Sequence, residues 1–173
     1  RSADVIHSFW VPQLHGKRDV IPGDTAYLWL RADREGVFRG QCAEFCGHQH
    51  AHMGLDVVVQ SEAEFAQWYE RQLRPAEVPT DSLRQYGMRV FESRTCMMCH
   101  TIRGTPEGGR TGPDLTHVGG RQYLAAGTLP LNWGTLAAWI VDPHGINPGV
   151  HMPLVPLPAG DVDPLAAYLA GLR

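Results

Sequence analysis

A chain of 173 residues with 43% apolar content can bury a core, either as one domain or as two small ones. Its 15 basic and 18 acidic residues leave a net charge of -3 without a basic run, which excludes an electrostatic footprint for nucleic acid or for an anionic membrane surface. No stretch approaches the roughly 20 apolar residues of a membrane span or has the layout of a signal peptide, and the opening RSADVIHSFW reads as mid-strand, as in a fragment or processed form of a longer protein.

The first third reads as β. Residues 24–32, DTAYLWLRA, set Tyr27, Trp29 and Arg31 against Ala26, Leu28 and Leu30, the period of a half-buried strand. GVFRGQC and GLDVVVQ read the same way, bounded by glycines. At Ser61 the period lengthens: SEAEFAQWYERQL opens with a Ser-x-x-Glu capping box and aligns Phe65, Trp68, Tyr69 and Leu73 on one helical face. That helix is expected to close a first domain at residue 73. The prolines and polar residues of RPAEVPTDS predict a linker over residues 74–80.

From residue 81 onward the pattern is helical with long loops. Asp81 is placed to cap a helix carrying Leu83, Tyr86, Val90 and Phe91; Asn132 caps one carrying Trp133, Leu136, Ala137 and Ile140. Asp163 followed by Pro164 predicts the start of a third, with Leu165, Tyr168, Leu169 and Leu172. Between them, RGTPEGGRTGPDL and DPHGINPGVHMPLVPLPAG are too rich in Gly and Pro for regular structure. Loops of that length in a small domain wrap around something.

Four cysteines fall into two close pairs, Cys42/Cys46 and Cys96/Cys99, which favours cofactor sites over a disulfide framework. CMMCH, residues 96 to 100, matches the attachment signature of a c-type haem: each thiol can form a thioether with a vinyl group, and the adjacent His100 reaches the iron. Met152, in NPGVHMP, is the best candidate for the sixth ligand, with the adjacent His151 its rival. Neighbours on an extended loop point apart, so at most one of them faces the iron. His/Met ligation closes the iron to substrate and raises its potential, which suits electron transfer. Residues 81–173 resemble a small class I cytochrome c domain. The resemblance implies crossed terminal helices, with Gly87 and Phe91 meeting the helix of Tyr168, and a carbonyl of Pro113 supporting His100. It also implies Arg121 and Trp139 as neighbours of the haem propionates, against the plainer reading of a surface charge and a core aromatic. Asn147 stands where that family's loop commonly has Lys.

The first pair lies in QCAEFCGHQHAHM. Cys42, Cys46, His50 and Met53 are spaced C-x3-C-x3-H-x2-M, soft donors that select copper or zinc over hard cations. Two cysteines this close after a strand allow both thiolates to bridge two copper ions. A second imidazole is then needed from elsewhere, and DVIHSFWVPQL supplies His7. A zinc site of Cys42, Cys46, His48 and His50 is the chemical alternative. His48 and His52 fall off the motif, His15 is expected to support a turn, and His117 and His144 read as solvated loop residues.

This pairing of segments resembles the CuA domain of cytochrome c oxidase subunit II across residues 1–73. The resemblance implies that Cys42 and Cys46 bridge the coppers, that His7 and His50 are terminal ligands, that Met53 is a weak ligand, and that the Glu44 carbonyl completes the set. Both halves together resemble the extracytoplasmic part of subunit II of a caa3-type oxidase. The expected fold is therefore a two-domain β plus α chain: a cupredoxin-like Greek-key β-barrel, N-terminally incomplete because further strands normally precede the first His, then an all-α cytochrome c domain. The implied function is an electron-transfer relay of a respiratory terminal oxidase, from haem c to the copper pair and on to catalytic subunit I, so the chain is part of an enzyme whose oxygen chemistry lies elsewhere. An upstream cytochrome or other redox protein would be the donor. The place would be the periplasmic face of the bacterial cytoplasmic membrane, held by an N-terminal anchor absent here. A nitrous oxide reductase part and a free-standing periplasmic electron carrier are the alternatives.

Overall fold

The period-two segments GVFRGQC and GLDVVVQ become strands and pair with each other in the computed structural model, which describes all 173 residues. Strands β1 (His7–Trp10), β2 (Arg18–Val20), β3 (Gly36–Cys42) and β4 (Gly54–Val59) form one antiparallel sheet in the order β2-β1-β3-β4. Alternation along β3 turns Phe38, Gly40 and Cys42 inward and leaves Val37, Arg39 and Gln41 outward. Val11, Leu14 and Phe38 form a small buried cluster, with Phe9, Leu55, Val57 and Val59 packed against it. Gly40 permits a close approach there, since a Cβ at that position would lie 2.7 Å from the Trp10 carbonyl oxygen.

One expectation for this half is corrected. Residues 24–32 make no ladder, and Tyr27 and Trp29 are 80% and 87% exposed. Alternation gives a segment two faces, but a strand also requires a neighbour's N–H and C=O groups, and here no neighbour lies alongside. The sheet has four strands, with β2 and β4 as its edges.

Helix α1 (Glu62–Leu73) starts at the predicted capping box: the Ser61 amide donates to the Glu64 carboxylate at 3.0 Å, and the Glu64 amide donates back to Ser61 Oγ at 3.3 Å. None of its residues is buried. Phe65, Trp68, Tyr69 and Leu73 remain about half exposed, with the Phe65 ring against those of Trp68 and Tyr69.

The chain divides into two units, Arg1–Tyr69 with Ala126–Thr128 and Glu70–Ala125 with Leu129–Arg173. The second is built on α2 (Ser82–Ser93), α3 (Trp133–Val141), the short α4 (Pro143–Ile146) and α5 (Ala159–Gly171), with a two-residue pair of β5 (Tyr123–Leu124) and β6 (Leu129–Pro130). Asp81 caps α2 through the Arg84 amide at 2.9 Å, and Asn132 and Thr135 cap α3 reciprocally. Where α2 meets α5, Gly87 lies so close to the backbone of Pro164 that a Cβ would sit 1.9 Å from its carbonyl oxygen. Phe91 and Tyr168 meet beside it at 6.3 Å. Val90, Phe91, Ile102, Leu136, Ile140, Leu165 and Leu169 complete one buried core.

Helix α5 begins at Ala159 and not at Asp163, so Pro164 stands inside it. Tertiary contact outweighs the local signal. Asp161, 4% exposed in the first turn of α5, accepts from Tyr86 Oη at 2.8 Å and from Arg94 at 2.7 Å, which holds that turn helical ahead of the proline. These two donors hold the Asp161 carboxyl below its ordinary value, the Tyr86 hydroxyl contributing most.

Two outcomes are expected. Gly87→Ala forces a methyl group against backbone that cannot rotate away and destabilises the second unit by about 3 kcal/mol, measured by urea unfolding followed in far-UV circular dichroism. Because the folded pKa of Asp161 is depressed, its contribution is present above the ordinary carboxylate range and is lost as pH falls through the lower folded value. Asp161→Asn therefore lowers the unfolding midpoint at pH 7, and the gap to the unsubstituted chain closes as the pH is brought down in the same urea series.

Candidate functional site

The sheet register brings the first cysteine pair to His7. Phe9 on β1 pairs with Cys42 at the end of β3, the Cys42 amide donates to the Met53 carbonyl at 3.0 Å, and the Ala43 amide donates to the Ser8 carbonyl at 2.9 Å. One nitrogen of His7 and the thiols of Cys42 and Cys46 lie within 4.8 Å of one another. The individual separations are 3.7 Å between the two sulfurs, 3.8 Å from Cys42 Sγ to His7 Nδ1, and 3.6 Å from Cys46 Sγ to His50 Nδ1. Met53 Sδ is 3.7 Å from Cys46 Sγ, and the Glu44 carbonyl oxygen is 3.2 Å from Cys42 Sγ. No cysteine is in a disulfide.

The two thiols differ. Burial works against ionisation of Cys42, but backbone hydrogen bonds at Glu44 and Ser8, together with the His7 and His50 rings, outweigh it and lower the thiol to about 6. Cys46 is pushed up to about 11 by burial and by the adjacent Cys42. Ionisation of one thiol of the pair disfavours ionisation of its neighbour. Phe45 stands 76% exposed beside the cluster, its ring set edge-on to that of His50 with the centroids 5.8 Å apart.

In the second unit, Cys96 and Cys99 lie on a single tight turn after α2, and the amides of Cys99 and His100 both donate to the Cys96 carbonyl. His100 Nδ1 is 2.8 Å from the Pro113 carbonyl oxygen, which leaves Nε2 free of that contact. The glycine-rich loop packs directly on this turn. The Gly109 amide donates to the Met97 carbonyl and the Gly112 amide to the Cys99 carbonyl, both at 2.7 Å, and a Cβ on Gly112 would lie 2.6 Å from the His100 ring. Met152 sits half-buried in the irregular stretch before α5, and His151 beside it is exposed. Arg121 is exposed and donates to the Asp114 carbonyl at 3.1 Å; Trp139 is half-buried on α3 against the core.

The remaining histidines separate clearly. His48 and His52 are exposed, and His144 is exposed on α4. His15 Nδ1 accepts from the Gly16 amide in the turn after Val11. His117, expected to be solvated, is half-buried and its Nε2 is 3.1 Å from the Arg74 carbonyl oxygen. Arg103 donates to the carbonyls of Gln72 and Leu73, and its own carbonyl accepts from the Ala76 amide. The proline-rich linker is thereby tied to the second unit by side chains that no spacing pattern marks. Asp4 is a further residue that the pattern does not reveal: its carboxylate is 2.9 Å from His7 Nε2. The hydrogen bond to His7 is the main reason that this carboxyl is lowered to about 2. Its only sequence signal was an acid three residues before a candidate ligand.

Residues 1–62 match the family described as cytochrome c oxidase subunit II, periplasmic domain, and residues 85–173 match the family described as cytochrome c. The chain is 43% identical over 171 residues to cytochrome c oxidase subunit 2 of Alkalihalophilus pseudofirmus, covering 98% of this chain and 49% of that protein. It is 31% identical over 184 residues to cytochrome c oxidase subunit 2 of Bacillus subtilis, covering 100% of this chain and 51% of that one. A crystal structure of the periplasmic domain of subunit II of cytochrome oxidase from Bradyrhizobium japonicum aligns over 39% of this chain and 49% of its own, at 46% identity and a TM-score of 0.38. The chain spans about half the length of the curated relatives that it matches from end to end. With one family matched across its first third and the other across its second half, the chain belongs to the cytochrome c oxidase subunit II family, in the form that carries a periplasmic domain and a cytochrome c domain on one polypeptide.

Proposed function

We propose that this chain is the electron-transfer relay of a caa3-type terminal oxidase, taking electrons at its cytochrome c domain and passing them through its copper domain to the membrane-embedded catalytic subunit I. The observation that carries the reading is the convergence of His7 Nδ1, Cys42 Sγ, Cys46 Sγ, His50 Nδ1 and Met53 Sδ, with successive separations of 3.6–3.8 Å. Two sulfurs of this kind with imidazole and thioether donors fit copper by chemistry. The turn of Cys96, Cys99 and His100, with Nδ1 of the histidine engaged and Nε2 free, fits a covalently attached haem. The pair of copper ions and haem c each supply a one-electron centre when bound.

The chain's own residues hold those centres still. Cys42, Cys46, His7 and His50 would hold the copper ions, with Met53 and the Glu44 carbonyl as the further donors within reach. The pairing of β1 with β3 fixes His7 and Cys42 on strand backbone, and the loop from Ala43 to Met53, tied back by the Ser8 and Met53 carbonyls, carries the other donors, which limits rearrangement when the charge changes. In the second unit, the Pro113 carbonyl engages Nδ1 of His100, Gly112 leaves room beside that ring, and His100 and Met152 would be the residues that hold the haem iron. Arg121 and Trp139 would be the neighbours of the haem propionates. We assign residues 1–73 to the copper domain and 81–173 to the haem domain, joined by 74–80. The exposed alternation of residues 24–32 fits a cupredoxin sheet that gains further strands.

The family matches support subunit I as partner and an extracytoplasmic place for the copper domain. No helix is long and apolar enough to cross a membrane, so an anchor would lie outside these residues. The electron donor is proposed to be a cytochrome or another redox protein. Relatives that align across both halves carry an oxidase name, which does not favour a nitrous oxide reductase or a free-standing carrier.

Two measurements test the reading. In the haem- and copper-loaded chain, copper and iron are expected in a ratio of about 2:1, with a delocalised mixed-valence EPR signal that Cys42→Ser, Cys46→Ser and His7→Ala each abolish. A mononuclear copper signal, or none, would sink the copper assignment. Met152→Ala is expected to remove the far-red band of thioether-ligated ferric haem. It should also lower the haem potential by on the order of 0.1 V, within the roughly 0.8 V that axial ligands span. His151→Ala should leave both unchanged, and the reverse result would move the ligand to His151.

A further inference from the structure

His7 is engaged at both ring nitrogens, on opposite sides. Nδ1 is 3.8 Å from Cys42 Sγ, while Nε2 is 2.9 Å from Asp4 Oδ1. We propose that Asp4 is the positioning residue of the copper site, holding His7 by Nε2 so that the bare Nδ1 is presented to the two cysteines; the inference rests on the copper reading above. A neutral imidazole has one N–H, and a ring nitrogen can bind a metal only through a free lone pair. A carboxylate accepting from Nε2 keeps the hydrogen there and also sets the plane of the ring.

The arrangement around Asp4 supports this role, although the side chain is largely exposed. Residues 3–5 form a bend that returns the carboxylate to His7. Ser2 Oγ accepts from the Asp4 amide at 3.3 Å and lies 2.9 Å from the same carboxylate oxygen that meets His7. Ser2 itself bridges to Pro22, and Arg1 Nε donates to Thr25 Oγ1 at 2.6 Å, so the segment bearing the carboxylate is pinned at several points. An exposed His–Asp pair that did nothing but decorate the surface would contribute little and would matter to nothing beyond it. What distinguishes this pair is that its other ring nitrogen faces a cysteine of the candidate metal centre.

The test uses the haem- and copper-loaded chain with Asp4→Ala and Asp4→Asn. It reads two quantities: copper release to a chelator, and solvent exchange of the hyperfine-shifted imidazole N–H proton of His7 by NMR. Asp4→Ala is expected to weaken copper retention by about 10–100-fold and to speed exchange of the His7 proton. The ring proton of His50 and the haem spectrum should stay as they are. Asp4→Asn keeps an oxygen acceptor without the charge, so its copper retention should fall between the two and its His7 proton should still exchange faster than in the unsubstituted chain. If Asp4→Ala does not fold, the Asn variant decides alone. Wild-type copper release together with wild-type His7 exchange in the variants would make Asp4 a surface partner only. An unsubstituted chain with no mixed-valence copper signal would instead overturn the copper reading itself.

Discussion

The pairing of Phe9 with Cys42 is the constraint on which the first half of the molecule depends. Side chains alternate across a strand, so a slip of one residue would turn Cys42 from the buried face to the outer one and carry its sulfur away from His7. The register is held from both sides. Gly40 admits Trp10 at a distance that no other residue would allow, and the full ladder with β4 runs from Gly36 opposite Val59 to Gln41 opposite Gly54. The donor cluster is therefore a consequence of strand pairing, and the apolar contacts of Val11, Leu14 and Phe38 hold that pairing together.

The second unit solves a similar problem with helices. A glycine on α2 lets the backbone of α5 come into direct contact, and the aromatic pair of Phe91 and Tyr168 fills the space beside it. The Cys96–His100 turn follows immediately after the end of α2. Asp161 then ties the first turn of α5 to Tyr86 and to Arg94, the residue that closes α2. Glycines 108, 109 and 112 complete the arrangement by letting an irregular loop lie flat on the attachment turn. Each is required by proximity to backbone or ring atoms, and none by a need for unusual dihedral angles.

Asp4, Arg103 and His117 lie outside every motif, yet each holds a functional or connecting segment in place. Asp4 holds a ring, Arg103 ties down the carbonyls at the end of α1, and His117 reaches the Arg74 carbonyl. A motif records which atoms do the chemistry. The groups that orient those atoms come from whatever the fold brings alongside.

Chemistry written in short spacings was legible in the sequence. C-x3-C-x3-H-x2-M, CMMCH, the Ser61–Glu64 box, and the Asp81 and Asn132 caps depend on atoms a few bonds apart, so local order alone names them. The helical faces of α2 and α3 and the strand period of β3 and β4 were legible for the same reason. What only the tertiary structure decided is how distant segments meet. Residues 24–32 have a strand's alternation without a strand's partner, α5 is helical ahead of its proline because Asp161 is buried against α2, and His117 is drawn out of solvent by a carbonyl of the linker. Backbone pairing and burial are satisfied by neighbours in space, and no window along the chain contains those neighbours.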